Sequence, residues 1–189
     1  MQCFGAVAML VAVAGVWAND EAHTSTPVVT VCLNPGTNGS MMYRGEVMAG
    51  RILKQASIRL VWRGDESVCA GGRGFVVRVS PATAVGDHPG ALAYALPFER
   101  THVVLFYDRV LAAVGSTVTP YLLGHVLAHE IVHMLQGVEQ HSASGLMKAR
   151  WDNGDYLDMQ HTHLKLTQDD LNLIDCGLSQ RASGMDRVK

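Results

Sequence analysis

Thr119-Pro120-Tyr121-Leu122-Leu123-Gly124-His125-Val126-Leu127-Ala128-His129-Glu130-Ile131-Val132-His133-Met134-Leu135-Gln136-Gly137 decides how the rest of this 189-residue chain is read. Its ends carry their own signals. Thr119 can cap the free backbone N–H groups of a starting helix, and Pro120 fits the first turn, where its missing N–H costs nothing. Gly137 suits the left-handed turn that ends a helix. Between them Leu122, Leu123, Val126, Leu127, Ile131, Met134 and Leu135 leave little polar surface, so this helix is expected to lie buried. Histidines and a glutamate lie inside it, and polar groups taken out of water need partners or a purpose.

Working upstream, Val28-Val29-Thr30-Val31-Cys32-Leu33 is rich in β-branched residues and stops at Asn34-Pro35-Gly36, which predicts a first strand. From residue 43 to about 56, Met48, Ala49, Ile52, Leu53 and Ala56 follow helical spacing, with Arg44, Glu46, Arg51 and Lys54 elsewhere on the surface. Ile58-Arg59-Leu60-Val61-Trp62-Arg63 and Phe75-Val76-Val77-Arg78-Val79-Ser80 read as two further strands. Residues 81–90 hold two prolines and two glycines and read as loop, 91–96 as a short edge strand stopped by Pro97, and 102–107 as another strand. Downstream, Leu166-Thr167-Gln168-Asp169-Asp170-Leu171 opens a last helix, with Thr167 as N-cap and Asp170 as the capping-box acid. Leu166 and Leu171 form its hydrophobic staple, and Leu171, Ile174 and Leu178 its buried stripe.

Residues 1–18 are almost wholly apolar and turn polar at Asn19-Asp20-Glu21, with Val16-Trp17-Ala18 placing small residues where a signal peptidase cuts. A signal peptide is expected, although no Lys or Arg precedes the apolar run; the alternative is an uncleaved anchor. Both readings put the rest of the chain outside the cytoplasm, secreted or periplasmic; with the signal peptide cleaved, no membrane span is expected in the mature chain. Removing Cys3 leaves Cys32, Cys69 and Cys176. Cys32 and Cys69 are the expected pair, since each ends or follows a predicted strand, and Cys176 is expected as an unpaired buried thiol. A net charge of −2 and a pI near 6.5 offer no basic face for nucleic acid. A chain of this length has room for one domain, and a monomer is expected.

His129-Glu130-Ile131-Val132-His133 matches H-E-x-x-H within a predicted helix, the context that motif requires. Residues four apart share one helix face, so both imidazoles can reach one zinc ion, while Glu130 can face the water beside it as general base. A catalytic zinc usually takes three protein ligands and keeps one position open. His141, beyond the chain-turning Gly137, is the best third candidate; Glu139 is its rival, with Asp152 and Asp155 behind. His125 lies in the same helical row but is expected as a core or supporting residue. His161 and His163 read as surface, and Asp152, Asp155 and Asp158 as a solvated turn, since their spacing does not match a calcium loop.

The motif, a glycine, a later histidine and Met147 in a tight turn together resemble the metzincin clan of zinc endopeptidases. In that clan the glycine follows the second histidine by three residues and the third histidine by six; here Gly137 follows by four and His141 by eight. The order strand, helix, two strands, edge strand, strand, active-site helix, Met turn and final helix is similar too, and residues 166–174 look like the C-terminal helix of matrix metalloproteinases. The resemblance implies an α+β, three-layer-like fold: a twisted, mostly parallel sheet of about five strands with one antiparallel edge strand, a backing helix, an active-site helix and a C-terminal helix. It implies a catalytic domain over 19–178, followed by a flexible tail at 179–189. Met147 would then lie beneath the metal ligands, and the edge strand would pair with an extended peptide or protein substrate. The expected function is a zinc-dependent peptidase, with His129, His133 and His141 on the metal and Glu130 catalytic. Two other readings stay open: an inert binding protein on a zinc-peptidase scaffold, and a zinc hydrolase of a non-peptide amide or ester.

Overall fold

A computed structural model describes residues 26–34, 39–84, 86 and 88–184; the expected signal peptide at 1–18 lies outside them. Five strands form one sheet: β1 (Val28–Leu33), β2 (Arg59–Arg63), β3 (Phe75–Ser80), β4 (Ala93–Ala95) and β5 (His102–Phe106). Their order is β2-β1-β3-β5-β4, with every neighbouring pair parallel except β4 and β5. The α+β fold with one antiparallel edge strand is therefore as expected. Five α-helices are present among the described residues: α1 (Gly39–Leu53), α2 (Tyr107–Ala113), α3 (Thr119–Gln136), α4 (Asn153–His161) and α5 (Gln168–Ala182).

Alternation along the strands separates the two faces of the sheet. Val31, Leu33, Phe75, Val77, Val103 and Leu105 join the main core with α1 and α3. Cys32 and Val76 point the other way, where Cys69, from the short 3-10 segment Glu66–Gly72, covers them and is disulfide-bonded to Cys32. Two glycines let α1 and α3 press together. A Cβ at Gly45 would fall 2.7 Å from Leu123 Cγ, and one at Gly124 would collide with Met48. Seventeen of the eighteen residues of α3 are buried, so it is the central helix its composition predicted.

Several expectations are corrected. Val118, not Thr119, is the N-cap of α3; the Thr119 hydroxyl donates to the Gly115 carbonyl at 3.2 Å instead of capping. Residues 152–158 are not a solvated turn: Asp152 caps α4 in a reciprocal box with Asp155, and both carboxylates accept from Lys148 Nζ at 2.6 Å. The final helix runs to Ala182, four residues into the segment 179–189 expected as a tail. Cys176 is half-buried and disulfide-bonded, and so is not the free thiol expected. No helix among the described residues is long and apolar enough to cross a membrane.

Candidate metal centre

α3 delivers His129, Glu130 and His133 to one place, all of them buried. His129 Nδ1 lies 2.8 Å from the Leu146 carbonyl, and His133 Nδ1 lies 3.0 Å from the Val138 carbonyl. A carbonyl only accepts, so each Nδ1 carries the proton and each neutral ring turns a bare lone pair outward at Nε2. Those two Nε2 atoms stand 3.0 Å apart, and with both protons at Nδ1 nothing lies between them to donate. Two apposed lone pairs repel, and a shared cation relieves that repulsion. Burial, reinforced by the neighbouring His133, lowers the His129 pKa to about 3, and burial takes His133 down to about 4. Both rings therefore stay in the neutral form that binds metal.

The third imidazole comes from the loop after α3. His141 is exposed, and its ring centroid lies 5.4 Å from that of His129 and 4.9 Å from that of His133. One nitrogen from each of the three rings falls within 4.8 Å of the others, a group that could hold a metal ion. Glu139 lines the cleft but lies outside this group, and Asp152 and Asp155 are occupied by Lys148. Three nitrogen donors with the fourth side open to a cleft suit zinc.

Beyond His133, α3 continues to Gln136 before Gly137 takes the left-handed conformation (φ 71°, ψ 24°) and donates its N–H to the His133 carbonyl. The first residue of the return loop, Val138, supplies the carbonyl that orients His133. The loop is then strapped to the start of α5. Ser142 Oγ donates to Asp170 Oδ1 at 2.6 Å, while Asp170 Oδ2 accepts the N-cap Thr167 N–H at 2.8 Å. Gln136 Nε2 donates to the Asp170 carbonyl at 3.2 Å, and Leu146 N–H to the Lys165 carbonyl at 2.8 Å. Gly145 must be glycine here: its φ is 76°, and a Cβ would strike the Lys165 carbonyl. The turn closes with Ser142 N–H on the Met147 carbonyl, and Met147 is fully buried in the core. Sequence reasoning missed the role of Asp170 in this strap. The available signal was a capping-box acid with a second carboxylate oxygen to spare.

Glu130 sits one position round from His129 and is 7% exposed. Burial raises its pKa to about 8, opposed by the backbone N–H of Ala95, which donates to the carboxylate. Ala95 belongs to the sheet-edge strand β4. Leu96 N–H bonds to the His102 carbonyl and Phe106 N–H to the Leu92 carbonyl, so the even-numbered residues of this segment face β5. The backbone groups of Ala93 and Ala95 consequently point away from the sheet. They form one wall of a cleft of about 690 Å³ that also takes in the three histidines, Glu130, Trp151 and Tyr156.

His125 is not part of the centre. It is fully buried, its Nδ1–H donates to the Tyr121 carbonyl at 2.7 Å, and its Nε2 accepts the Leu164 N–H at 3.2 Å. His163 is half-buried against it, with ring centroids 6.5 Å apart, while His161 is exposed.

No family model matches this chain, and no curated protein does. Among solved structures, the crystal structure of archaemetzincin from Methanopyrus kandleri is similar over 83% of this chain and 98% of that one, with 14% sequence identity and a TM-score of 0.49.

Proposed function

We propose that this chain is an exported, zinc-dependent peptidase of the metzincin type. The observation that carries the proposal is the meeting of three imidazoles and one carboxylate on the floor of a cleft walled by a free strand edge. His129 and His133 would hold the ion through Nε2, and His141 through a ring nitrogen. A bound zinc ion supplies Lewis acidity toward water and toward a carbonyl oxygen. A cation held by the three imidazoles would favour the ionised form of Glu130 against the effect of burial, and the carboxylate would then take one proton from the attacking water and return it to the departing amine nitrogen, ending in its starting state. The outward N–H and C=O of Ala93 and the outward C=O of Ala95 favour an extended polypeptide as substrate, because a strand edge is satisfied by another backbone and not by a compact ester. Export is supported by the buried Cys32–Cys69 disulfide, a bond that persists in oxidising compartments.

The test is Glu130→Ala. That variant is expected to bind one equivalent of zinc by elemental analysis, as the wild type does, while hydrolysis of an unstructured protein such as casein falls by about 10²-fold or more. Undiminished turnover in the variant would overturn the mechanism. Zinc binding without casein hydrolysis in the wild type would overturn the peptidase reading in favour of the inert binding protein or the hydrolase of a non-peptide amide or ester.

A further inference from the structure

A second groove, of about 610 Å³, lies at the sheet edge opposite β4, between α1 and β2. α1 has two apolar or mixed faces. Its inner stripe, including Met42, Gly45, Met48 and Ala49, is buried against the core. Its second stripe, Tyr43, Glu46, Val47 and Gly50, repeats at helical spacing and, with Lys54 just past the helix end, lines the groove; Tyr43 is 65% exposed. Leu60 and Trp62 of β2 line it from the other side, both only half-buried.

Two features specify an occupant. The first is charge: Arg51, Lys54 and Arg59 line the groove against Glu46 alone, on a chain whose net charge is −2. All three cations are exposed, and none makes an ion pair among the described residues. The second is backbone. Arg59 N–H donates to the Pro27 carbonyl, and in a parallel ladder the bonded residues alternate, so Arg59, Val61 and Arg63 face β1 while Leu60 and Trp62 turn outward. The Trp62 carbonyl accepts from Arg63 Nη1; the Leu60 N–H and C=O and the Trp62 N–H have no partner among the described residues. Isolated anions would satisfy the cations but not this edge. A strand carrying carboxylates satisfies both.

We propose that the groove between α1 and β2 docks an extended, acidic polypeptide segment of a partner protein, which adds to the β2 edge and sets carboxylates against Arg51, Lys54 and Arg59. The site is independent of the histidine cluster and does not rest on hydrolysis there.

The experiment uses the full chain carrying Glu130→Ala, to prevent cleavage, and a fluorescein-labelled ten-residue peptide alternating Glu and Val, read by fluorescence anisotropy. Saturable binding is expected, weakened about tenfold or more by Arg59→Glu with Lys54→Glu, since each exposed charge contact contributes only a few-fold. Methylating alternate backbone nitrogens of the peptide should weaken it similarly without touching the protein, a check that survives poor folding of the variant. Arg150→Glu, in the histidine cleft, should leave the affinity unchanged. Equal binding of a Lys-for-Glu peptide, of the methylated peptide or of a ten-residue oligothymidine would overturn the proposal. So would insensitivity to the Arg59 and Lys54 reversals, or binding that emerges only after removal of residues 1–25, which would give the groove to the chain's own Asp20-Glu21 segment.

Discussion

Asp170→Ala tests how the third imidazole is held. The Asp170 carboxylate is 3% exposed and accepts from Ser142 Oγ at 2.6 Å and from Thr167 N–H at 2.8 Å. Losing the Thr167 bond removes half of the capping box of α5, a loss of about 1 kcal/mol. Losing a buried bond from a hydroxyl to a carboxylate costs about 1.5–3 kcal/mol more. Metal-free Asp170→Ala should therefore unfold in urea with about 3 kcal/mol less stability than the metal-free wild type. Ser142→Ala spares the cap and should lose only the second part, about 1.5–3 kcal/mol. The two variants converge on metal affinity. Ser142 is chemically adjacent to His141, so releasing it frees the ligand loop in either variant, and competition against a chelating dye should show zinc bound about 10–100-fold more weakly. Ser142→Ala with reduced stability but wild-type zinc affinity would refute the reasoning, because the strap would then serve the fold and not the centre.

Two more predictions concern stability. Replacing both Cys32 and Cys69 with Ala removes a cross-link spanning 37 residues, which should lower unfolding stability by about 4 kcal/mol in denaturant titration. An unchanged midpoint would mean that packing, not the link, secures the segment at 66–72. His125 is fully buried and neutral, with burial lowering its pKa from 6.5 to about 4. The unfolded chain takes up a proton there below pH 6.5 while the folded chain does so only near pH 4, so stability falls across that window by about 3 kcal/mol. His125→Gln should flatten that part of the pH–stability curve, and a slope unchanged in the variant would assign the acid sensitivity elsewhere.

The elements legible in the sequence are those whose side chains repeat with the period of their backbone. β1, β3 and β5 announce themselves by β-branched runs, and α3 by an apolar surface between Pro120 and Gly137. α2 gives no such notice: it starts at Tyr107, directly from the end of β5, and Phe106 at its N-cap makes no side-chain capping bond. α4 does carry a capping signal in Asp152 and Asp155, but Met159 is its one buried residue, so no apolar period marks it as a helix. Thr119 shows the opposite failure, a good capping residue whose hydroxyl found a carbonyl four residues back. At the centre, His129, Glu130 and His133 were readable because one helix turn brings them together. The bonds between Ser142 and Asp170, and between Ala95 and Glu130, join residues far apart in the chain and leave no local trace.

The strap from the ligand loop to α5 also sets an order of events. Two imidazoles become neighbours as soon as α3 forms, but the third is held in place only after residues 165–170, well beyond α3 in the chain, have docked. A chain in which α5 has not yet docked would present a two-nitrogen site, weak and open to exchange with any thiol nearby. Tight metal capture would thus follow the docking of α5, and the ion would act as a late clasp on that helix. Removing it should loosen that helix first, visible as faster amide hydrogen exchange in α5 than in the sheet.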